Sequence, residues 1–315
     1  MIILPNEATD ILHNYLRKIE TGTGYGIPIG VKKIDEQLIP IENGQLMTVL
    51  ARPNNGKSSV VNHYMRQASK QYMEHKTDYA PPVLVTLESP IEEIQLRNLA
   101  NFAAIDSKAI RTRNNMDWKT LHDSVDKMAV EFPMIYIGHS AYLTNKKKHR
   151  ITFETISDDI QAIQDKAGRR VRAVGLDYIQ LMSMKGYDDR RIMLSECVIR
   201  LKEMAMENDF PIIMAAQANR TSDTEQKFPV PQPYHAKDTG SIEEASDIIL
   251  SCMRPCKYYK IGEAVPYSEE GHLVTPFLYF LYLAKQRDGE SSLGFWLSMD
   301  SRIGSLSDLE IDLGD

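Results

Sequence analysis

Gly56, Lys57 and Ser58 are the residues whose types and spacing most plainly do chemistry. They close the stretch Ala51-Arg52-Pro53-Asn54-Asn55-Gly56-Lys57-Ser58-Ser59, which follows the apolar run Leu46 to Leu50 and precedes a helical pattern. Strand, small polar turn and helix in that order form a phosphate-binding P-loop. Successive backbone N–H groups and a helix N-terminus then point at one anion. Lys57 would bring a mobile positive charge to the β- and γ-phosphates of ATP, and the Ser58 hydroxyl would hold Mg²⁺. The strict pattern opens with Gly, whereas this one opens with Ala51, so the assignment needs support from the rest of the chain.

Three buried-strand patterns end in polar residues. Val83 to Leu87 leads to Glu88, Val171 to Leu176 to Asp177, and Phe210 to Ala216 to Gln217. In open α/β sheets ligands bind at the carboxyl ends of the strands, so these three residues belong on the edge that carries the P-loop. A carboxylate after an apolar strand suits the Walker B role, which gives Asp177 to Mg²⁺. Glu88 is placed to deprotonate a water attacking the γ-phosphate. Gln217 can hydrogen-bond that phosphate and report its presence to the loop behind it. Each acid by itself reads first as a helix N-cap, and Gln217 by itself more strongly as an ordinary strand end. The order of all three downstream of Gly56-Lys57-Ser58 carries the functional reading.

Repeated alternation of strand and helix must position these groups. Helical patterns at 57–73, 117–131, 153–167 and 190–208 separate strands at 46–50, 83–87, 134–137, 171–176 and 210–216. Gly168 fits a helix stop. Ser89-Pro90-Ile91-Glu92 reads as an N-cap, a first-turn proline and a capping-box acid. This is the pattern of an α/β P-loop NTPase with a mostly parallel central sheet covered on both faces by helices. Strands near 247–253, 277–284 and 293–298 arrive without long helices between them, so they are expected as antiparallel additions at one edge. Residues 7–20 form a short helix with Ala8, Ile11, Leu12, Tyr15, Leu16 and Ile19 on one stripe. The glycine-rich segment 21–26 cuts it off. The stripe suits docking on a neighbouring subunit or on its own domain equally well. The resulting division is a helix and linker at 1–22, a nucleotide-binding domain at 23–304 and an acidic tail at 305–315.

The 315 residues suffice for one large α/β domain or two small ones. No apolar run approaches a membrane span, and the first residues lack the basic region of a signal peptide. Cys197, Cys252 and Cys256 do not make a disulfide framework, so a reducing, cytoplasmic setting is expected. No second Cys/His pair stands at zinc spacing near Cys252 and Cys256, which read as small apolar or surface residues. A net charge of −6 argues against a surface coated with basic groups for nucleic acid. It leaves room for a local basic channel. The runs Lys146 to Arg150 and Arg169 to Arg172 read first as solvated faces.

Ala51-Arg-Pro-Asn-Asn-Gly-Lys-Ser58 resembles the P-loop of DnaB-type replicative helicases, whose motif commonly opens Ala-Arg-Pro or Gly-Arg-Pro. Leu176-Asp-Tyr-Ile-Gln-Leu-Met182 is similar to the family's Walker B stretch. Pro211 to Arg220 resembles its sensor strand. Gly240 to Ile249 and Ala284-Lys-Gln-Arg-Asp-Gly289 resemble its last two motifs. The resemblance runs from about residue 21 to 300.

It implies a RecA-like core assembled as a ring, usually a hexamer, with ATP between subunits and Mg²⁺ beside it. It implies that Lys285 and Arg287 reach a neighbour's γ-phosphate. Residues 183–192, with Lys185, Arg190 and Arg191, match a loop facing the ring channel. Residues 221–236, just after Arg220, match a second. Basic and polar groups there would grip single-stranded DNA. Primase, a loader or a single-strand-binding protein are the further partners implied. Two departures stand out. The family's N-terminal helical domain and a primase-like zinc module have no counterpart, leaving the helix at 7–20, which resembles the family's linker helix. Residues 254–276 exceed the usual connection and suggest a lineage-specific surface loop, which fits a phage or mobile-element origin. The function expected is an ATP-driven DNA helicase. The alternatives are a RecA-like ATPase switch that binds DNA or a partner without unwinding, and a non-enzymatic interaction module.

Overall fold

The computed structural model describes residues 4–21, 26–114, 116–139, 151–223, 228–236, 240–266 and 271–309. The basic run at 146–150, Tyr267 and the last six residues lie outside them. The helices are α1 (Pro5–Thr21), α2 (Lys32–Asp35), α3 (Lys57–Glu74), α4 (Ile91–Phe102), α5 (Ser107–Thr112), α6 (Trp118–Glu131), α7 (Phe153–Ala167), α8 (Arg190–Asn208) and α9 (Ser241–Ala245). The strands are β1 (Leu46–Ala51), β2 (Val83–Thr86), β3 (Ile135–Gly138), β4 (Val174–Asp177), β5 (Ile212–Gln217), β6 (Ile248–Met253), β7 (Leu278–Gln286), β8 (Leu293–Asp300) and β9 (Ser305–Asp308).

All nine strands lie in one sheet of order β3-β2-β4-β5-β1-β6-β7-β8-β9. The first six in chain order run parallel, and β7, β8 and β9 add antiparallel at one edge. Strand β6, expected with the antiparallel group, instead pairs parallel with β1. The short helix α9 and the long connection before it return the chain to the starting edge of the sheet. A crossover of that kind is what a parallel pair requires. Ser305–Asp308, expected in the tail, forms the last strand, and Asp308 accepts the backbone N–H groups of Lys32 and Lys33. A strand edge and two unpaired N–H groups at the start of α2 give these residues partners that a free tail would not have.

The parallel strands read as continuous apolar runs because both faces are covered. On β1, Met47, Val49 and Ala51 face a core built with α3, while Leu46 and Leu50 face one built with α7 and α8. Local signals fix the helix ends. Asp117 and Asp189 cap α6 and α8, Thr152 and Thr155 form a capping box on α7, and Gly168 closes α7 in the left-handed conformation. The cap expected at Ser89 moves one residue on. Helix α4 begins at Ile91 with Pro90 before it, and the Ser89 carbonyl accepts the Thr86 hydroxyl instead.

The described parts of the segment 254–276 pack against each other. Ala264 bridges Leu273, and Val265 and Val274 pack with Leu278, Phe228 and Trp296 in a small apolar cluster. Cys256 lies against that cluster, while Cys197 and Cys252 are buried in the two main cores.

Helix α1 contributes no buried residue. Ile11, Leu12, Tyr15, Leu16 and Ile19 are all exposed, and the Tyr15 hydroxyl donates to the Glu42 carboxylate. A separate apolar groove of about 430 Å³ runs between α4, α6 and the edge strand β3, lined by Leu96, Leu99, Val125, Met128, Phe132 and Tyr136 among others.

Candidate nucleotide site

The turn after β1 is built to present backbone. Asn54 and Gly56 both take positive φ, 63° and 89°. At Gly56 a Cβ would meet the Met299 sulfur at 2.9 Å and the Tyr279 hydroxyl at 3.1 Å, so only glycine fits. Tyr279, wholly buried, donates to the Asn55 carbonyl at 3.1 Å and props the turn from below. Asn55 is buried and turned inward, where its Oδ1 accepts the Arg254 N–H at 2.8 Å. Arg52 reaches away from the cleft to the Ala218 carbonyl at 3.1 Å. Within the motif, then, Ala51, Arg52 and Asn55 are the support. Pro53, Asn54, Gly56, Lys57, Ser58 and Ser59 line a cleft of about 420 Å³ at the N-terminus of α3.

Sheet register gathers the other groups. Ala51 pairs with Gln217 and Thr86 with Asp177, and Glu88 lies two residues beyond Thr86. Lys57 Nζ lies 3.2 Å from Glu88 Oε2 and 3.8 Å from Asp177 Oδ1, with the Tyr178 ring centroid 4.1 Å away. Lys57 and Asp177 are buried, whereas the Glu88 side chain is 51% exposed and faces the cleft. Burial pushes the Asp177 carboxyl above the ordinary range, and the Lys57 ammonium and the Ser58 hydroxyl work against that shift.

Asp177 Oδ1 is buried and accepts no hydrogen bond among the described residues. The Lys57 ammonium stands 3.8 Å from it, and a buried carboxylate oxygen without a hydrogen bond is costly. The Ser58 hydroxyl acts on the same carboxyl group, and a hard divalent cation with oxygen ligands would satisfy the oxygen. The donor set therefore fits Mg²⁺.

Lys285 and Arg287 are not in this cleft. Lys285 pairs across the sheet with Ile249, near the start of β6, while the P-loop follows the end of β1 at Ala51, beside Cys252. The Arg287 N–H bonds the Asp247 carbonyl, and the Asp247 N–H bonds the Leu46 carbonyl, which sets Arg287 level with the first residue of β1. Roughly 17 Å of strand separates that level from Ala51. Lys285 Nζ donates to the Glu243 carbonyl, and Arg287 Nη2 to the Glu244 carbonyl at 3.2 Å. Burial, then the neighbouring Arg287, lower the Lys285 pKa.

The basic residues expected to meet DNA are exposed. Lys185 lies in the turn before α8, Arg190 and Arg191 occupy its first turn, and Arg220 follows β5. One polar chain joins Arg190 to the cleft. Gln180 accepts the Gln217 N–H at 3.0 Å and donates to the Gln217 carbonyl at 3.3 Å, while its own carbonyl accepts Arg190 Nη2 at 2.6 Å.

The sequence profile of the DnaB-like helicase C terminal domain matches residues 26–295. The chain belongs to this family. Among curated relatives, the replicative DNA helicase DnaB of Pasteurella multocida is 29% identical over 281 residues, covering 87% of this chain and 54% of its own length. That of Haemophilus influenzae is 26% identical over 280 residues, with the same coverage. The chain thus spans about half the length of these relatives. A solved DnaB-like replicative helicase, described with its interactions with primase, superposes at a TM-score of 0.74 with 23% identity. It covers 96% of this chain and 66% of that one. The ATPase domain of G40P superposes at 0.76 with 22% identity, covering 96% and 98%. These structures share the DnaB-like fold, a RecA-like α/β core. No helix among the described residues is long and apolar enough to cross a membrane.

Sequence reasoning missed Tyr178, Arg97, Arg254, Lys257 and Arg302. Tyr178 lies over Lys57, and the four cations line the cleft of this DnaB-like domain. Tyr178 directly follows Asp177 and was findable on that ground. Arg254 and Arg302 carry no local motif. They reach the cleft because β6 lies beside β1 and because β8, two antiparallel reversals later, ends on the same sheet edge.

Proposed function

We propose that this chain is an ATP-hydrolysing motor that assembles as a ring, most simply a hexamer, moves along single-stranded DNA and separates strands during replication. One observation carries the reading. The phosphate-facing groups Lys57, Ser58, Glu88, Asp177 and Gln217 converge on one sheet edge, while Lys285 and Arg287 stand at the other. Family membership adds to it.

In this mechanism the backbone N–H groups of the P-loop and the start of α3 receive the β- and γ-phosphates. Lys57 leaves Glu88 for the incoming phosphates. Glu88, freed and half-exposed, takes a proton from the attacking water. Ser58 and Asp177 would hold Mg²⁺, which would supply charge neutralisation when bound. Gln217 contacts the γ-phosphate and passes its presence through Gln180 to Arg190. Lys285 and Arg287 complete the site of the next subunit. Arg190, Arg191, Lys185 and Arg220 grip the DNA backbone, which accommodates an acidic chain because the basic groups gather at the channel.

The apolar stripe of α1 docks on a neighbouring copy. Its apolar side chains are open, and full burial of each contributes about 1.5–3 kcal/mol. The groove between α4 and α6 is the receiving surface of matching character. A motor of this kind works in the cytoplasm, and a primase and a loader are its natural partners.

A forked duplex with a 5′ tail tests the proposal. Strand separation that needs ATP and is lost in Lys57→Ala supports the motor. DNA-stimulated ATPase without separation points instead to a switch. A Lys57→Ala protein hydrolysing ATP at the wild-type rate overturns the reading, as does an absence of turnover with and without DNA.

A further inference from the structure

Asp247 lies at the junction of three elements on the edge opposite the P-loop, just before β6. It is buried, and its carboxylate is fully engaged. Oδ2 accepts the Leu46 N–H at 2.8 Å and Lys202 Nζ at 2.7 Å, and Oδ1 faces Arg287 Nη1 at 3.3 Å. Its backbone repeats the connection, donating to the Leu46 carbonyl at 2.8 Å and accepting the Arg287 N–H at 3.1 Å. Lys202, on α8, also donates to the Gly44 carbonyl at 2.8 Å.

Arg287 is therefore held by main chain and side chain at once, and its guanidinium is held on two nitrogens, by Asp247 and by the Glu244 carbonyl. Yet the side chain is 48% exposed. A pinned but open guanidinium is what a group acting on another molecule needs, because its orientation is fixed before the encounter. Helix α8 carries Arg190 and Arg191 in its first turn and Lys202 further along, so the same carboxylate ties the finger to the helix that begins at the DNA-facing turn.

We infer that Asp247 is the positioning residue for Arg287, fixing its guanidinium for use in a neighbouring subunit, with Lys202 as the second anchor. This rests on the in-trans role of Arg287 proposed above. Asp247 touches no phosphate. It acts only through the arginine it orients, so its loss lowers the turnover of the neighbour and leaves ATP binding in its own cleft intact.

Mixed rings separate the two ideas. A Lys57→Ala chain donates fingers but cannot hydrolyse, and an Arg287→Ala chain offers a P-loop but no finger. Each is inactive alone, and mixing them recovers ATPase where the first faces the second. Adding Asp247→Asn to the finger donor is expected to lower the recovered kcat about 10²-fold, with KM for ATP unchanged. The same substitution in the acceptor, whose own finger is already gone, measures any general cost to folding and is expected to leave the recovered rate where it was. Asp247→Glu in the donor keeps the carboxylate one methylene further out and restores part of the rate. Equal losses in donor and acceptor, or an undiminished rate with the altered donor, overturn the inference. Failure of the parent mixture to recover any ATPase instead overturns the in-trans reading itself, and Asp247 falls with it.

Discussion

The two edges of the central sheet are chemically unlike. On the edge where the parallel strands end, Lys57, Glu88, Asp177 and Gln217 surround a cleft whose floor is a glycine-shaped turn. Lys57 pairs with Glu88 and Asp177, Gln217 is held by Gln180, and one buried carboxylate oxygen accepts no hydrogen bond among the described residues. On the edge where those strands begin, Lys285 and Arg287 are held by the end of α9 and by Asp247. The first edge is a receptacle in which cation and carboxylates face one cleft. The second is a pair of cations fixed in place and turned outward. A rigid sheet cannot fold one edge onto the other, so chemistry that uses both requires two copies of the chain.

Arg287→Ala tests that contrast with the largest expected effect. If the far edge serves a neighbour, kcat falls about 10³–10⁵-fold, the range of an arginine finger. Equilibrium binding of a fluorescent ATP analogue to a single subunit is unchanged. A retained kcat would reduce the second edge to an ordinary strand end. Glu88→Gln comes next. The carboxylate is the half-exposed member of the receptacle, and its loss as base is expected to lower hydrolysis about 10²–10⁴-fold while ATP still binds. Weakened binding with normal turnover of bound ATP would make Glu88 a mere partner of Lys57.

Leu12→Asp with Leu16→Asp breaks the meeting of the edges without touching either. The assembly mass in the presence of a nonhydrolysable nucleotide should fall to that of a monomer, and ATPase should fall with it. A ring that persists would assign the α1 stripe elsewhere. The smallest effect belongs to Arg191→Ala. Removing one cation from the DNA backbone lowers the slope of log affinity for single strands against log salt by about 0.7. ATPase without DNA is expected to stay as it was. A slope that does not change removes Arg191 from the DNA path.

Much of the receptacle was legible because its parts are local. Gly56-Lys57-Ser58 is contiguous, Asp177 and Gln217 each close an apolar strand, and Glu88 follows one by two residues, a pattern set by neighbours in the chain. The cations Arg97, Arg254, Lys257 and Arg302 were not legible, since each enters the cleft through the tertiary placement of its element, Arg97 on α4 and the others after β6 or β8. The direction of β6 was hidden for a related reason. Its apolar run suits either orientation, and only pairing with β1 settles it. Ser305–Asp308 reads as tail because an edge strand needs little apolar sequence, its partner β8 supplying the hydrogen bonds. Arg52 sits inside the motif yet bonds Ala218, since a long side chain can leave the cleft its backbone helps to form.

The sequence by itself determined most of the elements and the residue types gathered at the cleft. Apolar periodicity sets strands and helices within a few residues, and a left-handed turn between them demands glycine and small polar residues wherever it occurs. Tertiary structure alone decided which groups meet. Sheet order brings Asp177 to Lys57, sends Lys285 and Arg287 to the far edge, and buries Asp247 between Leu46, Lys202 and Arg287. Those contacts join residues tens to hundreds of positions apart, and no local preference of the chain encodes a distance across a sheet.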